Sequence, residues 1–303
     1  MIAVLCPGQG AQTPGMLTPW LEHPAVSDSL SRLSEATGID IIRHGTSSDA
    51  DTIRDTAVAQ PLLVATAIST AVALGDLVPG VIAGHSVGEF AAAALAGVVS
   101  DADAMRLVTV RANGMAAAAA ASEPTSMAAV LGGDPQAVLT LLDELGLTPA
   151  NVNGGGQVVA AGSKAAIDAL IAAPPERARV IELQVAGAFH TTYMAPAVDA
   201  LASAASDVTT AAPRTALLSN ADGAVVTDGA DALSRLISQV ANPVRWDLCM
   251  ERMLDLGVTG MIEVAPGGVL TGLAKRSMKG IPAVALKTPD DLPAARELME
   301  AHA

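Results

Sequence analysis

The amino-acid sequence predicts an α/β protein carrying a second, smaller unit, and three observations lead there. The chain has 303 residues, beyond the size at which one hydrophobic core usually stops growing. Half of the residues are hydrophobic but only 2% are aromatic, so the core volume must come from Ala, Val, Leu, Ile and Met, a composition suited to helices packed on a Val/Ile-rich parallel sheet. Short apolar runs pass into glycine turns and then into helix-forming segments, the order that strand–helix units require.

Ile2 to Cys6 reads as the opening strand and runs into Pro7-Gly8-Gln9-Gly10. Thr56 to Gly75 is weakly charged but contains Gln60, Pro61, Thr66, Ser69 and Thr70, which suits a buried core helix and not a membrane span. A second strand, Val81 to Gly84, enters His85-Ser86-Val87-Gly88 and a helix over Glu89 to Ala96, with Gly97 at its C-terminal end. Ser100 caps the next helix, whose acidic first turn suits the positive end of the dipole and which runs through an alanine block to Ala121, before Pro124. From about Thr125 to Val185 the pattern changes. A strand over Ser126–Leu131 and a helix over Pro135–Leu145 precede strands around Asn151–Asn153 and over Gln157–Ala161, a helix over Lys164–Ala172 and a strand over Arg179–Val185. That βαββαβ order predicts a ferredoxin-like unit. The larger pattern then resumes with a helix over Ala195–Ala205, a strand over Thr215–Ser219, helices over Ala230–Val240 and Asp247–Leu256 and a strand over Gly260–Val264. Residues 1–124 and 186–303 are therefore expected to form one large domain, interrupted by 125–185.

Several classes are excluded by what the chain lacks. A net charge of −14 leaves no basic face to meet phosphates, so nucleic acid is not expected as a partner. No basic stretch precedes Ile2–Leu5, and Pro7-Gly8 breaks the apolar run too early for a secretory signal, so the expectation is a cytoplasmic protein without a membrane segment. Cys6 and Cys249 are too few for a disulfide framework or a zinc cage and read as reduced core thiols. No extended apolar surface stripe is evident, which favours a monomer.

Gly84-His85-Ser86-Val87-Gly88 is a G-x-S-x-G between a strand and a helix, the setting in which this motif forms the nucleophile elbow of an α/β-hydrolase-like domain. Its glycines allow the tight turn, and the helix directs its free N–H groups and positive end at a developing oxyanion. The plain alternative is an ordinary turn capped by Ser86. A serine nucleophile needs a base, and there are five histidines to choose from. His302 lies near a frayed end, His85 sits in the elbow and should point away from Ser86, and His23 and His44 lie in polar segments. His190 remains, against the alternative of a satisfied core histidine. Arg111 shares a helical face with Leu107, Val108 and Met115, so it projects from an apolar stripe where it needs an anion, either a substrate carboxylate or a protein acid. Gln9 stands in a turn able to bring a second backbone N–H to the oxyanion, beside that of Val87. The glycine spacings match neither a dinucleotide fingerprint nor a P-loop, and no metal or redox cofactor is called for.

Taken together, Pro7-Gly8-Gln9-Gly10-Ala11-Gln12, Gly84 to Glu89, Arg111, Asn153 to Gly162, Phe189-His190, Asn242 to Trp246 and Glu263-Val264-Ala265-Pro266-Gly267 resemble malonyl-CoA:acyl carrier protein transacylases, in that family's order and over the whole length. The resemblance implies Ser86 as nucleophile, His190 as its base, Arg111 as the clamp on the malonyl carboxylate and the N–H groups of Gln9 and Val87 as oxyanion hole. It implies that Gln239 orients His190 through an acceptor oxygen. Malonyl-CoA and a phosphopantetheinylated acyl carrier protein would be the substrates, with no cofactor, in fatty-acid or polyketide synthesis. The expected reaction is ping-pong, through an ester on Ser86. By the same resemblance Phe189 goes with malonyl and not methylmalonyl, while Ala11 departs from the serine often found there. An acidic carrier would need a local basic patch, for which Lys275, Arg276 and Lys279, or Arg177 and Arg179, are the candidates. A serine hydrolase is the main rival, but such enzymes place an acid before a late histidine, whereas more than a hundred residues follow His190. A non-catalytic docking subunit would have no reason to hold Ser86, His190 and Arg111 together.

Overall fold

The computed structural model describes residues 1–75 and 78–302. In chain order, β1 (Ile2–Cys6) leads to α1 (Pro24–Thr37), α2 (Ile41–Thr46) and α3 (Thr56–Val72). Next come β2 (Val81–Gly84), α4 (Gly88–Leu95) and α5 (Asp101–Ala121), then β3 (Thr125–Gly132), α6 (Pro135–Glu144), β4 (Thr148–Gly154), β5 (Gln157–Ser163), α7 (Lys164–Ala172) and β6 (Ala178–Glu182). The remainder is α8 (Ala195–Ala205), β7 (Ala216–Leu218), β8 (Val225–Val226), α9 (Gly229–Ser238), β9 (Val244–Arg245), α10 (Trp246–Asp255), β10 (Gly260–Glu263), α11 (Val269–Ser277), β11 (Ala283–Ala285) and α12 (Leu292–His302). Among the described residues no helix is long and apolar enough to cross a membrane.

The strands form two sheets. The first has the order β11-β10-β1-β2-β7-β8, parallel throughout except that β8 turns back antiparallel on β7. Successive side chains of a strand face opposite ways, and here both faces are covered. Ile2, Val4 and Cys6 join Ile82, Leu217 and Ile262 in the core beneath α1, α3, α4 and α5. Ala3 and Leu5 join Val81, Ala83, Leu218 and Met261 on the other face, against α10 and α11. The strands therefore read as unbroken apolar runs. The chain crosses from strand to helix at the ends of β1 and β2, and that edge of the sheet carries the site described below.

The second sheet has the order β6-β3-β5-β4-β9. Its helices α6 and α7 press Val138, Leu142, Ile167 and Leu170 onto Ala128, Val130 and Ala160. The sheet is not completed within residues 125–185, because the two-residue strand β9 pairs parallel with β4 through Asn151↔Val244 and Val152↔Arg245. Main-chain pairing thus reaches across from the later part of the chain, in a strand too short to show any periodicity.

Ser100 caps α5 as expected, its Oγ accepting the Asp103 N–H at 3.0 Å. His302 is held more firmly than the sequence suggests. His302 lies in α12, its carbonyl takes a hydrogen bond from the Met1 ammonium at 3.0 Å, and its ring Nδ1 stands 2.9 Å from Thr259 Oγ1.

Candidate active site

β2 stops at Gly84 and α4 starts at Gly88, so three residues turn the chain. Ser86, in the middle, has φ of 54°, in the left-handed region that a residue with a Cβ enters only under constraint. The flanking glycines are set by packing. A Cβ on Gly84 would run into the backbone of Gly88, and one on Gly88 into the Cys6 carbonyl. The tight turn leaves the Ser86 side chain facing a cavity of about 350 Å³, lined among others by Gln9, Gln60, His85, Phe189 and His190.

His190 is 4% exposed and also left-handed, with φ of 60°. Its Nε2 lies 2.8 Å from Ser86 Oγ. On the other side of the ring Nδ1 is 3.1 Å from the main-chain oxygen of Gln239 and 3.2 Å from that residue's side-chain Nε2. Nδ1–H donating to the carbonyl leaves the Nε2 lone pair to accept from the serine hydroxyl. The acceptor oxygen expected of Gln239 is thus its backbone carbonyl, with the amide lying alongside. Burial, followed by the charge of Arg111, pulls His190 from the ordinary 6.5 down to about 3, so the ring is neutral near pH 7.

Arg111 is 1% exposed on α5. Nη2 reaches Ser86 Oγ at 3.3 Å and Nη1 donates to Gln60 Oε1 at 2.7 Å, while Nε has no partner among the described residues. The guanidinium also lies 5.9 Å from the centre of the Phe90 ring. Of the two anions open to it from the sequence, the internal one is missing: among the described residues no carboxylate comes within salt-bridge distance. Glu89 is near enough to act through its field, but burial pushes its carboxyl up to about 8, so it holds a proton near neutral pH. A buried fork with an unpartnered Nε, beside a serine that opens on a cavity, suits a carboxylate brought in by a ligand.

Gln9 and Val87 stand on either side of the elbow, at the end of β1 and the start of α4. Among the described residues no acceptor takes the N–H of either one. The Gln9 side chain is held between Thr56 Oγ1 at 3.5 Å and Gln60 Nε2 at 3.4 Å. His85 lines the cavity as well, but its Nε2 is 2.8 Å from Asn153 Oδ1 and its ring meets Trp246 edge-on at 5.6 Å. Of these histidine rings it is His190 that stands within hydrogen-bond distance of Ser86 Oγ. His44 Nδ1 bonds Ser48, outside the site.

A profile of the acyl transferase domain matches residues 4–291. The malonyl CoA-acyl carrier protein transacylase of Mycobacterium tuberculosis (strain H37Rv) is 50% identical over 297 residues, covering 96% of this chain and 98% of that one. The chain belongs to the malonyl CoA-acyl carrier protein transacylase family. A crystal structure of MCAT from Mycobacterium tuberculosis superposes with a TM-score of 0.93 at 49% identity, over 98% of this chain and 99% of that one. The malonyl-transacylase PlMCAT, solved with the holo acyl-carrier protein AntF of a type II PKS, superposes with a TM-score of 0.91 at 31% identity, over 98% and 99% of the two chains.

In this acyltransferase the contacts of two residues of the site are not given by the sequence. Gln60 reads only as a polar break in a core helix, yet it touches both Arg111 and Gln9. Asn153 lies within a glycine-rich run, yet it ties the second sheet to His85 in the elbow. Asn153 opens a segment that carries the family resemblance, but for both amides the partners are distant in the chain and only folding brings them together.

Proposed function

We propose that this acyltransferase carries malonyl from malonyl-CoA to the phosphopantetheine thiol of an acyl carrier protein, in two half-reactions through a malonyl ester on Ser86. The supporting observation is convergence on one atom. His190 Nε2 and Arg111 Nη2 lie 2.8 and 3.3 Å from Ser86 Oγ, a base and a cation directed at a nucleophile.

In the first half-reaction His190 Nε2 takes the Ser86 proton as Oγ attacks the thioester carbonyl. The oxyanion collects the N–H groups of Gln9 and Val87. As the intermediate collapses, the C–S bond breaks and His190 returns its proton to the departing coenzyme A sulfur. The carrier's thiol then gives its proton to His190, attacks the acyl-serine and leaves with malonyl, restoring the Ser86 hydroxyl. Gln239 holds His190 in the tautomer both steps need. Arg111 takes the far carboxylate of malonyl. An acetyl thioester would leave the guanidinium buried without an anion, a difference on the order of several kcal/mol where desolvation is nearly complete.

All of these groups come from one chain, so a monomer suffices. We read residues 1–124 and 186–303 as an α/β-hydrolase-like domain and 125–185 as a ferredoxin-like insert, a reading supported by the spatial order of the insert's own strands: fourth, first, third, second. Fatty-acid synthesis is the process we assign, with a polyketide carrier presenting the same thiol. The decisive experiment is intact-protein mass spectrometry after brief mixing with malonyl-CoA, beside acetyl-CoA and the Ser86→Ala variant, then a chase with the pantetheinylated carrier. A malonyl adduct on the wild type alone, discharged to the carrier, is the expected result. No adduct, or one lost to water equally fast without the carrier, would overturn the proposal.

A further inference from the structure

Ser86 has an N–H that neither ladder of its strand can use. Pairing of β2 with β1 ends at Gly84, and pairing with β7 ends earlier, at Ile82↔Leu217. Past that point the chain turns into the left-handed conformation, and a buried N–H left bare beside the nucleophile would weaken the turn.

Asn220, two residues after β7 and 0% exposed, meets this need. Its Oδ1 accepts the Ser86 N–H at 2.7 Å and its Nδ2 donates to the Gly84 carbonyl at 2.8 Å. In a parallel ladder one residue bonds the N–H and C=O of residues two apart on the neighbouring strand. The side-chain amide of Asn220 does the same to Gly84 and Ser86, so it prolongs β7 by one imitation peptide group where the true backbone has departed. That backbone is itself pinned: the Asn220 N–H donates to Glu89 Oε1 at 2.8 Å, and its carbonyl accepts from the Arg245 N–H at 2.7 Å. Glu89 belongs to α4 and Arg245 to β9, so the amide is braced from the helix after the elbow and from the second sheet.

We propose that Asn220 is a positioning residue for the nucleophile. By gripping the chain on both sides of His85 it holds Ser86 left-handed and keeps Oγ within reach of His190 Nε2. Alanine cannot supply either bond, and serine has one hydroxyl on a shorter arm where two opposed groups are needed. Both substitutions leave the main-chain bonds to Glu89 and Arg245 in place.

The inference rests on the acyl-serine reading above, and the test separates the two. The rate constant for malonyl-Ser86 formation is measured by rapid quench and intact mass over a range of malonyl-CoA concentrations. Wild type, Asn220→Ala and Asn220→Ser are compared, with Cys249→Ala as a control that removes the weak contact of Nδ2 with Cys249 Sγ at 3.6 Å, together with the Sγ bond to the Ser219 carbonyl at 3.4 Å, and leaves both bonds to the elbow intact. For Asn220→Ala the saturating rate should fall by about 100-fold, the scale of a displacement near 1 Å, with the half-saturating concentration within about threefold of wild type. Cys249→Ala should acylate like wild type. Loss of packing alone would lower the melting temperature without this split between rate and half-saturation. If Asn220→Ala fails to melt cooperatively, Asn220→Ser is read in its place, with the same expectation. A folded variant acylating within twofold of wild type overturns the positioning role, whereas a wild type that forms no adduct overturns the acyl-serine reading itself.

Discussion

Arg111 donates through Nη1 to the side-chain oxygen of Gln60 at 2.7 Å, so the buried guanidinium is held in place by a neutral amide and not by a carboxylate. An amide orients the fork without spending its charge. Gln60→Glu should therefore supply the anion internally and slow malonyl loading by at least about 10-fold, the loss of roughly one charge-assisted pair. Arg111→Ala should lose the preference for malonyl over acetyl. Both are read as rates of adduct formation with the two thioesters, and retention of a strong malonyl preference in Arg111→Ala would refute the clamp.

His190 must be neutral to accept a proton, and its pKa is drawn down to about 3 by burial and by Arg111. A depressed pKa moves the acid limb of activity to lower pH, so malonyl kcat/KM should hold well below the 6.5 of an ordinary histidine. In the Arg111→Ala variant the limb should shift upward. On the proposed reading a malonyl carboxylate on Arg111 would offset the same positive charge, so His190 should become the stronger base when that substrate is bound. Stopped pH profiles of acylation decide this; a wild-type limb at or above 6.5 contradicts it.

Glu89 gives a stability prediction of definite sign. Burial raises its carboxyl to about 8, while the unfolded chain releases that proton near 4.5. Between these values the folded state binds the extra proton, so wild type loses stability as pH rises, by up to about 1.4 kcal/mol per pH unit. Glu89→Gln keeps an oxygen for the Asn220 N–H and does not titrate. Whatever its offset at pH 5, its melting temperature should gain on wild type steadily up to pH 8, and parallel curves would show that Glu89 titrates normally.

Lys275 and Arg276 close α11 beside the β4–β5 turn: both are exposed, and a Cβ on Gly155 would come 2.9 Å from Arg276 Cβ. In a chain of net charge −14 this is a natural landing point for an acidic carrier. Reversing both charges should raise the carrier's KM several-fold and leave malonyl loading from coenzyme A unchanged. An unaltered KM would move the carrier elsewhere, toward Arg177 and Arg179.

Much of this arrangement is legible in the sequence because local physics sets it. The β1 and β2 runs are apolar on both faces, Ser100 and Pro124 bracket α5, and G-x-S-x-G falls between a strand and a helix. Other parts carry no such signal. β9 is two residues long, β11 three, and a strand of that size shows no period. Gln60 and Asn153 are polar residues in segments read for other reasons, and their partners lie 51 and 68 positions away along the chain. His302 illustrates the reverse case: closeness to the end of the chain suggested fraying, but long-range bonds to Met1 and Thr259 hold it.

The shared left-handed backbone of Ser86 and His190 sets activity against durability. Glycine adopts such a conformation without strain, so Ser86→Gly should unfold at a higher temperature than Ser86→Ala although both lack the Ser86 hydroxyl. The functional chain keeps side chains where its own backbone would be more comfortable without them, and thermal tolerance selected without regard to turnover would erode the site at these two positions first.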